Sequence, residues 1–318
     1  MHEPMVRLAL FSDPVFEQHE TGQHPECADR LRAIRRRLTK SGILGQTVKG
    51  TLRDATGEEL ARIHPPKYQE TVRKFARQGG GRLDPDTVVS PASADVAIKA
   101  AGTACAAVDA VLSGGADHAL CLTRPPGHHA LPDRAMGFCL FNNVAVAAAH
   151  ARAKHELDRV LIVDWDVHHG NGTQDIFYED GQVHFLSVHR YPFYPGTGAA
   201  DETGSGQGLG AIHNVPLKFG ISRTAFRDAF RAALEKQAER CRPELVLISA
   251  GFDAHKDDPI GSLGLESGDF ATLTRDVLDI ANVHAGGRVV SLLEGGYDLD
   301  ALAESVEFHL RELLEGAE

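Results

Sequence analysis

Residues 159–171 read Arg-Val-Leu-Ile-Val-Asp-Trp-Asp-Val-His-His-Gly-Asn, and residues 245–253 read Leu-Val-Leu-Ile-Ser-Ala-Gly-Phe-Asp. Each is a short run of aliphatic residues that stops at acids or imidazoles. The runs are continuous rather than alternating, which suits strands of a parallel sheet covered on both faces. The same signature recurs, so strands are predicted at Val6–Phe11, His118–Leu122, Arg159–Val163, Val183–Val188, Leu245–Ser249 and Arg288–Leu293. Apolar spacing near three and four predicts helices over Ala94–Leu112, Asn142–His150, Ser222–Ala238, Ser267–Val283 and Leu299–Leu314. Asn142 or Asn143, and Ser222, are the cap candidates. Strand-helix alternation argues for one α/β domain over residues 1–318, an open parallel sheet with helices on both faces.

Bulk properties agree. The 318 residues are 42% apolar and 24% charged, ample for a core and ordinary for a globular chain. The net charge of -11 offers no basic footprint for nucleic acid or an anionic membrane. No run of 18 apolar residues suggests a membrane span, and the start, Met5–Phe11 then Ser12-Asp13-Pro14, lacks a signal-peptide pattern. Five scattered cysteines without a CxxC indicate neither a disulfide framework nor a thiolate zinc site, so a cytoplasmic compartment is expected.

Ligands of open α/β sheets bind beyond the carboxyl ends of the strands. There the sequence places Arg124-Pro-Pro-Gly-His-His129, Asp164-Trp-Asp-Val-His-His-Gly-Asn171, His189, Asp253 and Glu294-Gly-Gly-Tyr297. In extended chain Asp164, Asp166 and His168 point to one side. A lone strand-end Asp is usually a cap or turn residue, but this set, joined by Asp253, points to a metal site. Oxygen and nitrogen donors without thiolate suit Zn²⁺ or Fe²⁺. His128 and His129, set by a rigid Pro-Pro-Gly turn, are acid-base candidates, with Asp164 able to orient one ring. Spacing does not say which imidazole does what. Tyr297, after two glycines, is a candidate donor to a developing oxyanion. Ser187 and Val188 could give carbonyls, with Asp164, to a second, hard cation. Gly204–Gly210 is only loosely like a phosphate-binding fingerprint and reads as a flexible loop.

These segments resemble the histone deacetylase and acetylpolyamine amidohydrolase family. The resemblance rests on His24-Pro-Glu-Cys-Ala-Asp-Arg30, Arg124–His129, Gly137-Phe-Cys-Leu-Phe-Asn-Asn143, Asp164–Gln174, Pro195-Gly-Thr-Gly198, Ser249–Asp253 and Glu294–Tyr297, in family order along nearly the whole chain. It implies an arginase/deacetylase-type domain that hydrolyses the amide of acetyl-lysine or another acylated amine. It implies Zn²⁺ on Asp166, His168 and Asp253, and a structural K⁺ on Asp164, Asp166, His168, Ser187 and Val188, partly through backbone carbonyls. His129 would be general base and acid, His128 with Asp164 an electrostatic partner, and Tyr297 the polariser of the carbonyl. Phe138 and Tyr194 would flank the substrate tunnel, with Gly137 offering its carbonyl, Leu265 at the pocket wall and Arg30 in an inner channel. Rim loops in this family often pair, so a homo-oligomer is a further expectation. Two departures stand out. Asn171 sits behind the second histidine where some members carry Asp, so His129 should be less raised in pKa. The polyamine-selective relatives carry a Glu near Ile260, which is absent here. A two-manganese ureohydrolase and an acyl-lysine binder without turnover are the rival readings.

Overall fold

The computed structural model describes residues 6–316, so Met5 of the first apolar run and the ends of the 1–318 domain lie outside the described residues. In chain order the elements are β1 (Leu8–Ser12), α1 (Asp29–Ser41), β2 (Val48–Lys49), α2 (Gly57–Ala61), α3 (Pro66–Arg77), β3 (Gly81–Asp84), β4 (Thr87–Val89), α4 (Ser93–Leu112), β5 (His118–Leu122) and α5 (Asn143–His155). They continue with β6 (Val160–Asp164), α6 (Asn171–Ile176), β7 (Val183–Arg190), β8 (Ile212–Leu217), α7 (Arg223–Cys241), β9 (Leu245–Ala250), α8 (Ser267–His284), β10 (Val289–Leu293) and α9 (Leu299–Glu315). Eight strands form one parallel sheet in the order β2-β1-β5-β10-β9-β6-β7-β8, and β3 and β4 pair apart as an antiparallel ribbon.

Both faces of the sheet are covered, which explains the continuous apolar runs. Along β6, Leu161 and Val163 pack on one side with α1, α7, α8 and α9, while Val160 and Ile162 pack on the other with α3, α4 and α5. On β9, Val246 and Ile248 divide from Leu245 and Leu247 in the same way. Burying one such side chain contributes about 1.5–3 kcal/mol.

The predicted strands and helices are present with ends shifted by a few residues. Asn142 is the cap of α5 and accepts from Ala145 N at 3.0 Å, and Ser222 caps α7, accepting from Ala225 N at 3.2 Å. Helices α1 and α3 and strands β2 and β8 were not among the sequence expectations. Edge strand β8 is disguised by His213, Asn214 and Pro216; the proline is tolerated at an edge, and buried Asn214 donates to Gln174 and to the Glu202 carbonyl. Gly204–Gly210 is a loop between β7 and β8 that holds one 3₁₀ turn. No described helix is long and apolar enough to cross a membrane.

The register brings the chemistry together. Asp164 ends β6 between Ser187 of β7 and Ser249 of β9, so the loops after β5, β6, β9 and β10 converge at one edge.

Candidate active site

Asp166, His168 and Asp253 meet behind this edge, with one donor atom of each lying within 4.8 Å of the other two. All three are buried. His168 Nδ1 lies 3.0 Å from Asp166 Oδ1 and 3.1 Å from Asp253 Oδ2. The other carboxylate oxygens are held by backbone: Val167 N donates to Asp253 at 2.8 Å and Gly295 N to Asp166 at 2.9 Å. At position 295 a Cβ would run into both carboxylates, so glycine alone permits that approach.

The donor set fits a divalent ion. Two buried carboxylates confront each other, and burial, with the charge of Asp166, pushes Asp253 up to about 7. Burial works against a proton on His168, but Asp166 and Asp253 outweigh it and lift the ring to about 9. A pocket that draws protons so strongly is cation-seeking, and its O, N and O donors match Zn²⁺ better than a softer ion.

The two histidines of the Pro-Pro-Gly turn are split electrostatically. His128 Nδ1 lies 2.9 Å from Asp164 Oδ2. Burial pulls His128 down, yet Asp164, Asp166 and Glu294 together raise it well above the ordinary imidazole value. His129 Nδ1 donates to Asn171 Oδ1 at 2.7 Å, and Asn171 Nδ2 donates to Met136 Sδ at 3.3 Å, which fixes the amide orientation. Burial, then the charges of His128 and His168, hold His129 well below the ordinary value. The surroundings thus favour a proton on one ring and disfavour a second proton on the other, a division suited to acid-base work.

A cleft of about 230 Å³ leads to these groups, lined by Asp86, His129, Gly137, Phe138, His168, Phe193, Tyr194, Ile260 and Tyr297. Phe138 meets Tyr297 edge-on at 5.8 Å, and Tyr194 meets His129 edge-on at 5.2 Å. Gly137 has φ +57°, and a Cβ there would strike the His129 ring. Phe193 stacks on His168 at 5.2 Å; Arg190 lies over its ring at 4.1 Å and over that of exposed Phe219 at 4.4 Å. The wall therefore runs as one stack from His168 to solvent. A surface hollow of about 580 Å³ lies apart from this cleft, among opposing charges of α1 and α9.

Leu265 needs correction as a wall residue. Its side chain is fully buried in the core, and its segment bridges to His255. Ile260 takes that place in the cleft, because Asp258 accepts from Ile260 N and Gly261 N, both at 2.9 Å, and turns the loop. Asp258 also accepts from Tyr297 N at 2.7 Å, so it ties two cleft-lining loops together. Arg30 is wholly enclosed and donates to the carbonyls of Glu294 and Gly296, clamping the Tyr297 segment.

Glu26 and Glu294 were missed as supports, although both lie in quoted segments. Glu294 accepts from Gly127 N at 2.7 Å and from Ser249 Oγ at 3.1 Å, which fixes the histidine turn. Glu26, fully buried, accepts from Arg124 Nη2 at 2.8 Å and from Arg30 Nη1 at 3.2 Å. Burial would raise its carboxyl, but Arg124 first, with His19 and Arg30, holds it at about 2 against an ordinary 4.5. Because the folded value is the lower one, its stabilisation is present above about pH 4.5 and is lost as pH falls toward 2. Glu26→Gln leaves buried guanidinium groups unpaired and should cost about 3–5 kcal/mol. Urea midpoints at pH 7 measure this, and a shift near zero would remove the network from the account.

A sequence profile described as "Histone deacetylase domain" matches residues 24–313. The chain is 43% identical over 275 residues to the histone deacetylase-like amidohydrolase of Pseudomonas aeruginosa, covering 86% of this chain and 72% of that one. It is 42% identical to the human polyamine deacetylase HDAC10 over 329 aligned residues, covering 98% of this chain and 47% of the relative. The crystal structure of the HDA15 HD domain superposes with a TM-score of 0.93 at 38% identity, over 98% of this chain and 89% of that one.

Proposed function

Because the chain belongs to the histone deacetylase family and is, with it, a hydrolytic deacetylase of acetylated amines, we propose that it works through Zn²⁺ held by Asp166, His168 and Asp253. The observation that carries this reading is the convergence of those three donors beside the His128 and His129 imidazoles at the foot of an aromatic cleft. When bound, the zinc supplies Lewis acidity toward the acyl carbonyl and acidifies a water. His129 Nε2 would take a proton from the attacking water while its Nδ1–H stays anchored on Asn171. The Tyr297 hydroxyl donates to the developing oxyanion. His129 then hands its proton to the leaving amine. His128, paired with Asp164, stays charged and stabilises negative charge nearby.

The cleft suits an extended aliphatic arm. Phe138, Phe193 and Tyr194 give it apolar walls, and Gly137, packed close to the His129 ring, would offer its carbonyl to the scissile N–H. Residues 1–318 form one catalytic domain in this reading. K⁺ would use Asp164 with carbonyls of Asp166, His168, Ser187 and Val188, hard oxygen donors at the β6–β7 pair. The acidic charge and five free cysteines support a cytoplasmic enzyme without a nucleic-acid partner. A pairing of rim loops into a homo-oligomer remains part of the proposal.

Ile260 favours acylated lysine over acylated polyamine, since an aliphatic side chain stands there in place of a carboxylate that would attract a second ammonium, and the one cleft-lining carboxylate, Asp86, accepts from Gly137 N. A screen of zinc-loaded protein across acetyl-lysine peptides and acetylpolyamines tests this. We expect higher kcat/KM on the peptides, and Ile260→Glu should move the ratio toward the polyamines by about 10-fold or more, near 1.4 kcal/mol. An unmoved ratio would remove Ile260 as a selector. Asn171→Asp adds negative charge beside His129 and raises its pKa. The acid limb of the kcat/KM profile should therefore move to higher pH; a limb that stays put or moves down would contradict the role given to His129.

A further inference from the structure

Helix α5 starts beside the histidine turn, where Asn143 donates to Pro125 O at 3.1 Å, and runs about 20 Å away from it. At its far end a second group of ligating side chains gathers against α4. Asp109 Oδ1 lies 2.8 Å from His150 Nε2 and 2.8 Å from His155 Nε2. Donor atoms of Asp109, His150 and His155 all lie within 4.8 Å of one another. On its other side His150 Nδ1 lies 3.1 Å from Glu59 Oε1, off the line of a hydrogen bond, so this buried nitrogen has no aligned partner. Arg53 grips Glu59 through two contacts of 2.7 Å each.

This arrangement poses a problem of charge. A neutral imidazole carries one N–H, but His150 faces a carboxylate at each nitrogen. One lone pair must then point at an anionic oxygen, unless a cation sits between them. Two imidazole nitrogens converge on the same Asp109 oxygen, so the cation has three donors waiting. His150 is almost wholly buried, so water does not reach in to relieve the clash. Two nitrogens and one oxygen suit a borderline divalent ion. A carboxylate behind a ligating histidine, here Glu59 fixed by Arg53, is the usual support for such a ligand. Cys105 groups with Glu59 and His150 rather than with Asp109. Lys154, 2.9 Å from Asp109 Oδ2, is exposed and free to move aside.

We propose that Asp109, His150 and His155 form a second divalent-metal site, for Zn²⁺, Co²⁺ or Ni²⁺, which ties α5 to α4 away from the cleft. It owes nothing to the catalytic reading. The test loads the full chain with ZnCl₂, removes loose metal by gel filtration and counts zinc per chain. Wild type should hold one zinc more than His155→Ala and than Asp109→Asn, and its Tm should rise on zinc addition by more than theirs. His155 closes α5 at the surface, so His155→Ala should keep the wild-type circular dichroism, and acetate release should be unchanged. Equal zinc content and equal Tm response in all three proteins would overturn the site. Loss of the extra zinc in only one variant would overturn the three-residue assignment.

Discussion

Tyr297→Phe is expected to fold as wild type and to hydrolyse an acetyl-lysine peptide about 10²–10³-fold more slowly, the loss falling mainly on kcat. The ring is fixed independently of its hydroxyl. Phe138 meets it at 5.8 Å, the Arg30 guanidinium lies 5.1 Å from its centre, and its backbone N–H is held by Asp258. Removing the oxygen therefore leaves the packing in place. Desolvation in the cleft pushes the phenol well above its ordinary pKa, so it stays a donor at any working pH. Its interaction strengthens as charge builds on the carbonyl oxygen, and losing one such donor costs about 2.7–4 kcal/mol. Steady-state kinetics with unchanged kcat would remove Tyr297 from the mechanism.

His129→Ala should be comparably damaging, lowering kcat/KM by about 10²–10⁴-fold, the usual contribution of a positioned acid-base group. The ring is tethered at Nδ1 by Asn171 and turned edge-on to Tyr194, and burial disfavours its protonated form, so its second nitrogen is left to the cleft it lines. No neighbour can take over. His128 is already committed to Asp164 and is held charged by Asp164, Asp166 and Glu294. Retained turnover in His129→Ala would shift the base role to another group and dissolve the division between the two imidazoles.

The sheet and the reacting groups were legible for one physical reason. Strands buried on both faces must be apolar throughout, so polar residues at their ends are conspicuous, and Asp164, Asp166, His168 and Asp253 stood out. Period two suggested that the first three share a side; β6 ends at Asp164, and Asp166 and His168 lie in the turn beyond it, where Asp164 and Asp166 accept from the backbone N–H two residues on. Two glycines announced that Tyr297 sits where backbone comes close. Helix α1 was equally readable, with Leu31, Ile34 and Leu38 at helical spacing among its arginines. Other features had no local signal. Nothing near Leu265 tells whether it or Ile260 faces the cleft; that depends on Asp258 bonding the loop inward. Glu26 meets Arg124 across 98 positions, and Asp109 meets His150 and His155 across 41 and 46, distances over which periodicity says nothing.

Metal-dependent deacetylation at Asp166, His168 and Asp253 is tested most directly by acetate release from an acetyl-lysine peptide after chelation and zinc return. Wild type should fall silent when stripped and recover with added Zn²⁺, whereas Asp253→Asn should remain silent at the same zinc concentration. Acetate release that persists in the stripped protein, or returns in zinc-loaded Asp253→Asn, would contradict the account.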